Sequence, residues 1–85
     1  MEKALVLEAV KEIYGQSLRD KFDPKAIDED TDLVEAIGLN SIESIEILVR
    51  VEEKFGIEVS DEDLNVELVK YLSSITEYIE KKLND

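Results

Sequence analysis

The chain has 85 residues, no cysteine and no histidine, and a net charge of -12 from 22 acidic and 10 basic side chains. The missing residue types exclude a disulfide framework, a thiolate metal site, an imidazole base and a His-ligated zinc. The negative charge argues against binding to a nucleic-acid backbone, because phosphates need a basic surface.

The length predicts one small domain, residues 1–85, with one modest hydrophobic core. Its first residues do not form the apolar run of a leader, and no segment approaches the roughly 18 apolar residues of a membrane span. We therefore expect a cytoplasmic monomer that does not insert into a membrane.

The net charge is concentrated in the middle of the chain. Residues 1–25 and 68–85 are each neutral, whereas residues 26–67 hold fourteen acids and only two bases, Arg50 and Lys54. A uniformly solvated surface does not need this segregation. The pattern favours an acidic surface that basic partners contact, and a solvated surface without a partner is the alternative.

The first element is an amphipathic helix with one apolar stripe, ended by Gly15. The stripe consists of Leu5, Val6, Ala9, Val10, Ile13 and Tyr14. Residues 16–40 then predict a long, mostly irregular loop, and loops of this length are often functional. Its apolar side chains can hold it against the core; they are Leu18, Phe22, Ile27, Leu33, Ala36 and Ile37.

Asn40 and Glu43 predict the start of the second main helix. Asn40 is a favoured N-cap, and Glu43 at the third helical position completes a capping box. The helix should continue to Lys54 or Phe55 and end before Gly56.

The remainder predicts a short extended link at 57–59 and two further helices. Ser60 is predicted to be the N-cap of a short helical segment over about 61–69. Ser73 is predicted to be the N-cap of a last helix. Leu72, Ile75 and Ile79 should face inward. No segment shows sustained strict alternation, so we expect an all-α fold: a small bundle of three main helices plus one short helix, with a long loop between helices 1 and 2.

The helix after Ser41 carries two apolar stripes when residues advance by about 100° each. The stripe that ends in Phe55 is the better candidate for the core, and it contains Ile47, Leu48, Val51 and Phe55. The second stripe, predicted to be exposed, is Ile42, Ile45 and Val49. It is edged by Glu46 and Glu53, and such a strip suits an apolar groove with a basic rim. The alternative is that the long loop covers Ile42 and Val49.

Ser41 stands at the first turn of this helix. A serine here usually has no further role than its place at a helix start. Its surroundings favour a functional role, because a glycine lies nearby, an exposed stripe follows and a helix N-terminus attracts anions. A phosphodiester on Ser41 would lie beside unsatisfied backbone N–H groups.

The segment Gly38-Leu39-Asn40-Ser41-Ile42-Glu43-Ser44-Ile45-Glu46-Ile47, followed by Glu52-Glu53-Lys54-Phe55-Gly56-Ile57-Glu58-Val59, resembles the acyl carrier proteins. That family has a Gly-x-Asp-Ser-(Leu/Ile) signature, a Glu-Leu pair five residues after the serine and a Glu-Glu-x-Phe segment before a short third helix. The similarity runs from about residue 32 to residue 79 and extends to length, acidity and helix order.

The resemblance implies that Ser41 carries 4′-phosphopantetheine, added from coenzyme A by a phosphopantetheinyl transferase. The terminal thiol would hold acyl groups as thioesters for enzymes that load, elongate or transfer them in fatty-acid, lipid or related biosynthesis. It also implies that basic patches of these partners contact four acids and that their apolar side chains contact the second stripe. The acids are Glu43, Glu46, Glu52 and Glu53, and the apolar residues are Ile42, Ile45 and Val49.

One position departs from the family pattern. Asn40 replaces the usual aspartate before the serine. Asparagine still caps a helix but lacks the charge, which affects transferase preference and any metal contact nearby. The departure suggests a specialised carrier outside primary fatty-acid synthesis.

Four other interpretations are weaker. Two acidic segments, Asp28-x-Asp30-x-Asp32 and Asp61-x-Asp63-x-Asn65, start like calcium loops but lack the required glycine and final glutamate, so we expect no metal site. Ser44 is a poor rival for attachment because it lies within the helix. The main alternative function is a non-enzymatic acidic adaptor that docks basic proteins and carries no prosthetic group. Catalysis by the chain itself is not expected, since so small a domain encloses little.

Overall fold

All regular structure in residues 2–84, the part of the chain that the computed structural model describes, is helical. In chain order the α-helices are α1 (Lys3–Leu18), α2 (Leu33–Ile37), α3 (Ser41–Phe55), α4 (Val66–Val69) and α5 (Leu72–Leu83). Short 3₁₀ turns occupy Arg19–Lys21 and Asp61–Asp63. The predicted all-α fold with three main helices is confirmed, and α2 adds a second short helix that the sequence analysis did not predict.

Helix α1 is longer than predicted. It continues through Gly15 to Leu18, so the prediction that Gly15 ends the helix is wrong. A glycine inside a helix costs only about 1 kcal/mol relative to alanine. Leu18 is buried in the core one turn after Tyr14, and the burial of its side chain outweighs that cost. The helix instead ends at Arg19, whose φ of 52° closes the last turn.

The loop between α1 and α3 contains regular structure. Asp32 caps α2, because its carboxylate accepts hydrogen bonds from the backbone N–H groups of Val34 and Glu35 at 3.0 and 3.3 Å. Gly38, with φ of 70°, ends α2 in the left-handed conformation that favours glycine. Four of the predicted anchors are buried, namely Leu18, Phe22, Ile27 and Leu33. Ile37 is partly buried, but Ala36 is exposed and does not hold the loop.

The second half of the chain is more divided than predicted. The expected segment over 61–69 is a 3₁₀ turn followed by the separate helix α4. Ser60 makes no capping hydrogen bond, and Asn65 caps α4 by accepting from the Glu67 N–H at 2.9 Å. Ser73 does not cap α5 either, since the helix has already begun at Leu72.

The core lies where α1 packs against both α3 and α5. The predicted inward residues of α5 are fully buried, and the Tyr14 hydroxyl of α1 donates a 2.7 Å hydrogen bond to the carbonyl of Val69 in α4. This bond satisfies a buried polar group and ties α4 to α1. No helix among residues 2–84 is long and apolar enough to cross a bilayer.

Candidate functional site

Ser41 is the first residue of α3 and its side chain is exposed. Ser44, one turn later, is fully buried, and its hydroxyl donates a 2.8 Å hydrogen bond to the Asn40 carbonyl. The two serines therefore differ completely in access. Only Ser41 offers a free hydroxyl to another molecule at this end of α3.

The turn before Ser41 is held by a complete capping box, as the sequence predicted. The Asn40 side-chain oxygen accepts from the Glu43 N–H at 2.8 Å, and the Asn40 N–H donates to Glu43 Oε1 at 3.2 Å. The adjoining Leu39 is buried, and its N–H donates to the carbonyl of Leu33. The approach to Ser41 is thus fixed both by the core and by the helix cap.

The start of α3 suits an anionic group on Ser41. The first N–H groups of a helix have no acceptor within that helix. The capping box engages the Glu43 N–H, so the N–H groups of Ser41 and Ile42 remain available at the helix end. These donors and the positive end of the helix dipole favour a phosphodiester, so the residues present fit a phosphopantetheine arm.

The predicted apolar stripe is exposed. Ile42, Ile45 and Val49 keep 79%, 50% and 44% of their accessible surface. The alternative in which the long loop covers Ile42 and Val49 is therefore wrong. The opposite stripe lies in the core, where Ile47, Leu48 and Val51 are fully buried and Phe55 is partly buried.

The four acids singled out on α3 have different environments. Glu46 and Glu53 are exposed, and Glu46 forms only a 3.4 Å ion pair with Arg50 one turn away. Glu52 is half-buried and its Oε2 accepts a 2.8 Å hydrogen bond from the Val59 N–H. That bond fastens the link after α3 to the helix.

Glu43 has the most partners. Both of its carboxylate oxygens accept from the Lys21 ammonium at 2.9 Å. The hydrogen bond from Lys21 lowers the pKa of the Glu43 carboxyl below its ordinary value, partial desolvation opposes this change, and the Asn40 N–H adds to the lowering. Lys21 is a residue that sequence reasoning missed, because no local pattern relates two positions 22 residues apart.

The acidic loop segments form turns. The Asp28 carboxylate accepts from the Asp30 N–H at 2.9 Å and from the Thr31 hydroxyl at 3.2 Å. Within residues 2–84 no group of three acidic side chains is arranged to hold a metal ion. The structure therefore assigns Asp28 a local role in closing the loop.

Comparison with known proteins agrees with this geometry. Residues 4–79 match the family described as "Phosphopantetheine attachment site". This chain belongs to that family of carrier domains, which bear a covalently attached 4′-phosphopantetheine. The chain is also 29% identical over 83 residues to an acyl carrier protein of Thermosynechococcus vestitus, and the match covers 98% of each chain.

Proposed function

We propose that this chain is an acyl carrier protein, with residues 1–85 as one carrier domain and Ser41 as the attachment residue. One observation supports Ser41 above all: of the six serines, Ser41 alone is exposed, and the others are partly or fully buried. When bound, 4′-phosphopantetheine supplies a terminal thiol that holds acyl groups as thioesters. The acyl groups would pass to enzymes of fatty-acid, lipid or related biosynthesis.

In the loading step Ser41 is the nucleophile. Its Oγ forms a bond to the coenzyme A phosphorus that bears the pantetheine arm, and the bond from that phosphorus to adenosine 3′,5′-bisphosphate breaks. The hydroxyl proton passes to a base of the phosphopantetheinyl transferase, and no oxidation or reduction occurs. The chain contributes the nucleophile and the N–H groups at the start of α3. We infer from this division of roles that the domain is a carrier and not a catalyst.

Intact mass spectrometry tests the attachment residue. Coexpression with a broad-specificity phosphopantetheinyl transferase should add the mass of one phosphopantetheine. Ser41→Ala should abolish the addition, whereas the control Ser74→Ala in α5 should keep it. A folded protein that gains no mass with several transferases would contradict the proposal and favour the acidic adaptor.

We further propose that the exposed face of α3 docks the partner enzymes. Its apolar part is Ile42, Ile45 and Val49, and its acidic part is Glu43, Glu46, Glu52 and Glu53. The exposure of the apolar stripe beside carboxylates supports an apolar contact surrounded by basic side chains of the partner. Since Glu43 and Glu52 already bind groups within the fold, Glu46 and Glu53 are the carboxylates most available to a partner.

Charge reversal tests this docking face. Glu46→Lys and Glu53→Lys should each raise the KM for the carrier in the transferase reaction several-fold at low salt, because an attractive contact becomes repulsive. The matched control Glu77→Lys makes the same charge change on exposed α5 surface and should have a smaller effect. Circular dichroism should show unchanged helix content. Equal effects at all three positions would indicate attraction by net charge alone and would contradict a specific docking face.

The pathway and the location belong to the same proposal. Because Asn40 stands where the family usually has aspartate, we propose that the carrier serves a specialised pathway. The mass of the thioester isolated from the native cell would identify the acyl group. Fractionation of that cell would test the cytoplasmic location that the sequence predicts.

A further inference from the structure

The contact between Lys21 and Glu43 connects two distant parts of the chain. Lys21 ends the 3₁₀ turn that follows α1, and Glu43 lies in the first turn of α3. The ammonium reaches both carboxylate oxygens at 2.9 Å, and the side chains are 39% and 19% exposed. It is the shortest ion pair among residues 2–84, the next being the 3.4 Å pair of Glu46 and Arg50.

The Lys21 backbone is positioned by the core. Its neighbour Phe22 is buried, and the Phe22 ring lies 5.8 Å from the ring of Tyr14, which is itself fully buried. The Phe22 N–H donates to the carbonyl of Arg19 and closes the turn. Lys21 therefore extends from an anchored segment toward α3, which reduces the entropy lost when its side chain is held in one geometry.

The Glu43 carboxylate transmits this anchoring to the attachment turn. Oε1 accepts from both the Lys21 ammonium and the Asn40 N–H. The Asn40 carbonyl in turn accepts from the N–H and hydroxyl of Ser44. A continuous set of hydrogen bonds thus runs from the 3₁₀ turn after α1 to the residue directly before Ser41.

The ion pair also changes the charge beside the attachment residue. A phosphate of coenzyme A must approach Ser41, and Glu43 lies two residues further along α3. An unpaired carboxylate there would repel the phosphate, whereas the paired carboxylate is largely neutralised by Lys21. A partly exposed ion pair contributes only modestly to global stability, and at the attachment turn its effects on position and charge add to that contribution.

We propose that Lys21 is a positioning residue for the modification of Ser41, acting through Glu43 to keep the capping box closed and to neutralise the charge beside the hydroxyl. This inference rests on the proposed function, in which Ser41 is the attachment residue. Lys21 does not touch the reacting atoms and adds nothing to the chemistry itself.

Steady-state transfer from coenzyme A tests the inference, with a broad-specificity transferase and the chain of residues 1–85. Lys21→Met should lower kcat about three- to tenfold, because a smaller fraction of docked carrier presents Ser41 correctly. The control Lys25→Met removes the same charge from the same loop, where Lys25 makes no ion pair among the described residues. It should leave kcat unchanged, and Lys21→Arg should restore most of the wild-type kcat.

A spectroscopic measurement keeps the test independent of the enzyme. The Asn40 amide resonance should titrate with Glu43, with a midpoint below the ordinary value of 4.5 in wild type and a higher midpoint in Lys21→Met. Equal kcat values for Lys21→Met and Lys25→Met, or an Asn40 midpoint unmoved by Lys21→Met, would overturn the inference. Failure of the wild-type chain to be modified at Ser41 would instead overturn the proposed function.

Discussion

Single residues decide how the start of α3 responds to acid. The Glu43 carboxylate accepts from the Lys21 ammonium and from the Asn40 N–H, while the Asn40 side chain accepts from the Glu43 N–H. Each of the first two contacts favours the ionised carboxylate. Protonation of Glu43 would therefore weaken the ion pair and one half of the capping box together.

We predict that protonation of Glu43 accounts for a measurable part of the fall in the free energy of unfolding at acid pH. The pKa of Glu43 in the folded chain lies below its ordinary value of 4.5, so its contribution to stability is present above that value and is lost as the pH falls through the folded pKa. Urea unfolding of Glu43→Gln should show a smaller fall in the free energy of unfolding between pH 6 and pH 3. The control Glu53→Gln should keep the wild-type fall. A wild-type pH dependence in Glu43→Gln would refute the role assigned to these hydrogen bonds.

At the scale of elements, two glycines play opposite roles. Gly15 lies within α1, where the helical backbone conformation does not require a glycine. Gly56 ends α3 with φ of 65°, a conformation that favours glycine. A Cβ atom added at either position would meet nothing within 4 Å. Steric space is therefore the same at both, and only the backbone conformation differs.

This pair predicts stability changes of opposite sign. Gly15→Ala should raise the free energy of unfolding by about 0.5–1 kcal/mol, because alanine has the higher helix propensity. Gly56→Ala should lower it by about 1 kcal/mol, because alanine is strained in the left-handed conformation. Both values follow from urea denaturation at pH 7. A destabilising Gly15→Ala would show that α1 needs flexibility near its end.

Helix α2 is held by caps at both of its ends and by contacts with the end of α4. Helix α2 has a side-chain cap at Asp32 and a glycine end, and the Leu33 N–H donates to the carbonyl of Lys70 at 2.9 Å. Lys70 also places its ammonium 3.8 Å from the Asp32 carboxylate and 3.5 Å from that of Glu67. These contacts fasten α2, and with it the C-terminal part of the long loop, to the end of α4.

For the whole molecule, the dominant electrostatic feature is the net charge of -12, and all of this excess arises from residues 26–67. The few ion pairs of the described residues compensate only part of it. Like charges repel in the compact chain more than in the expanded one, so the charge that would attract basic partners also weakens the fold.

We predict that salt stabilises this protein. Raising NaCl from about 10 mM to about 200 mM shortens the screening length from roughly 30 Å to below 10 Å and should raise Tm by several degrees. Glu35→Lys, at an exposed position, should raise Tm at low salt and have a smaller effect at high salt. Differential scanning calorimetry measures both. A Tm that does not change with ionic strength would show that repulsion between the acidic side chains is negligible in the folded state.

Local signals in the sequence were sufficient for the presence of the three main helices, for both ends of α3 and for the exposed stripe. The capping box at Asn40 and Glu43, the end of α3 at Gly56 and the exposed stripe all depend on residues within one or two turns of each other. Such short-range patterns can be read directly from residue spacing. The same pattern placed Ser41 at a helix start.

The tertiary structure alone decided three other features: the extension of α1 past Gly15, the presence of α2 and the pairing of Lys21 with Glu43. Each depends on contacts between residues that are far apart in sequence: α2 has local caps at Asp32 and Gly38, but its Leu33 N–H also donates to the carbonyl of Lys70. Burial of Leu18 outweighs the local preference of glycine, and the anchoring of Phe22 brings Lys21 to α3. Spacing along the chain contains no information about such contacts, because their energy comes from packing between elements.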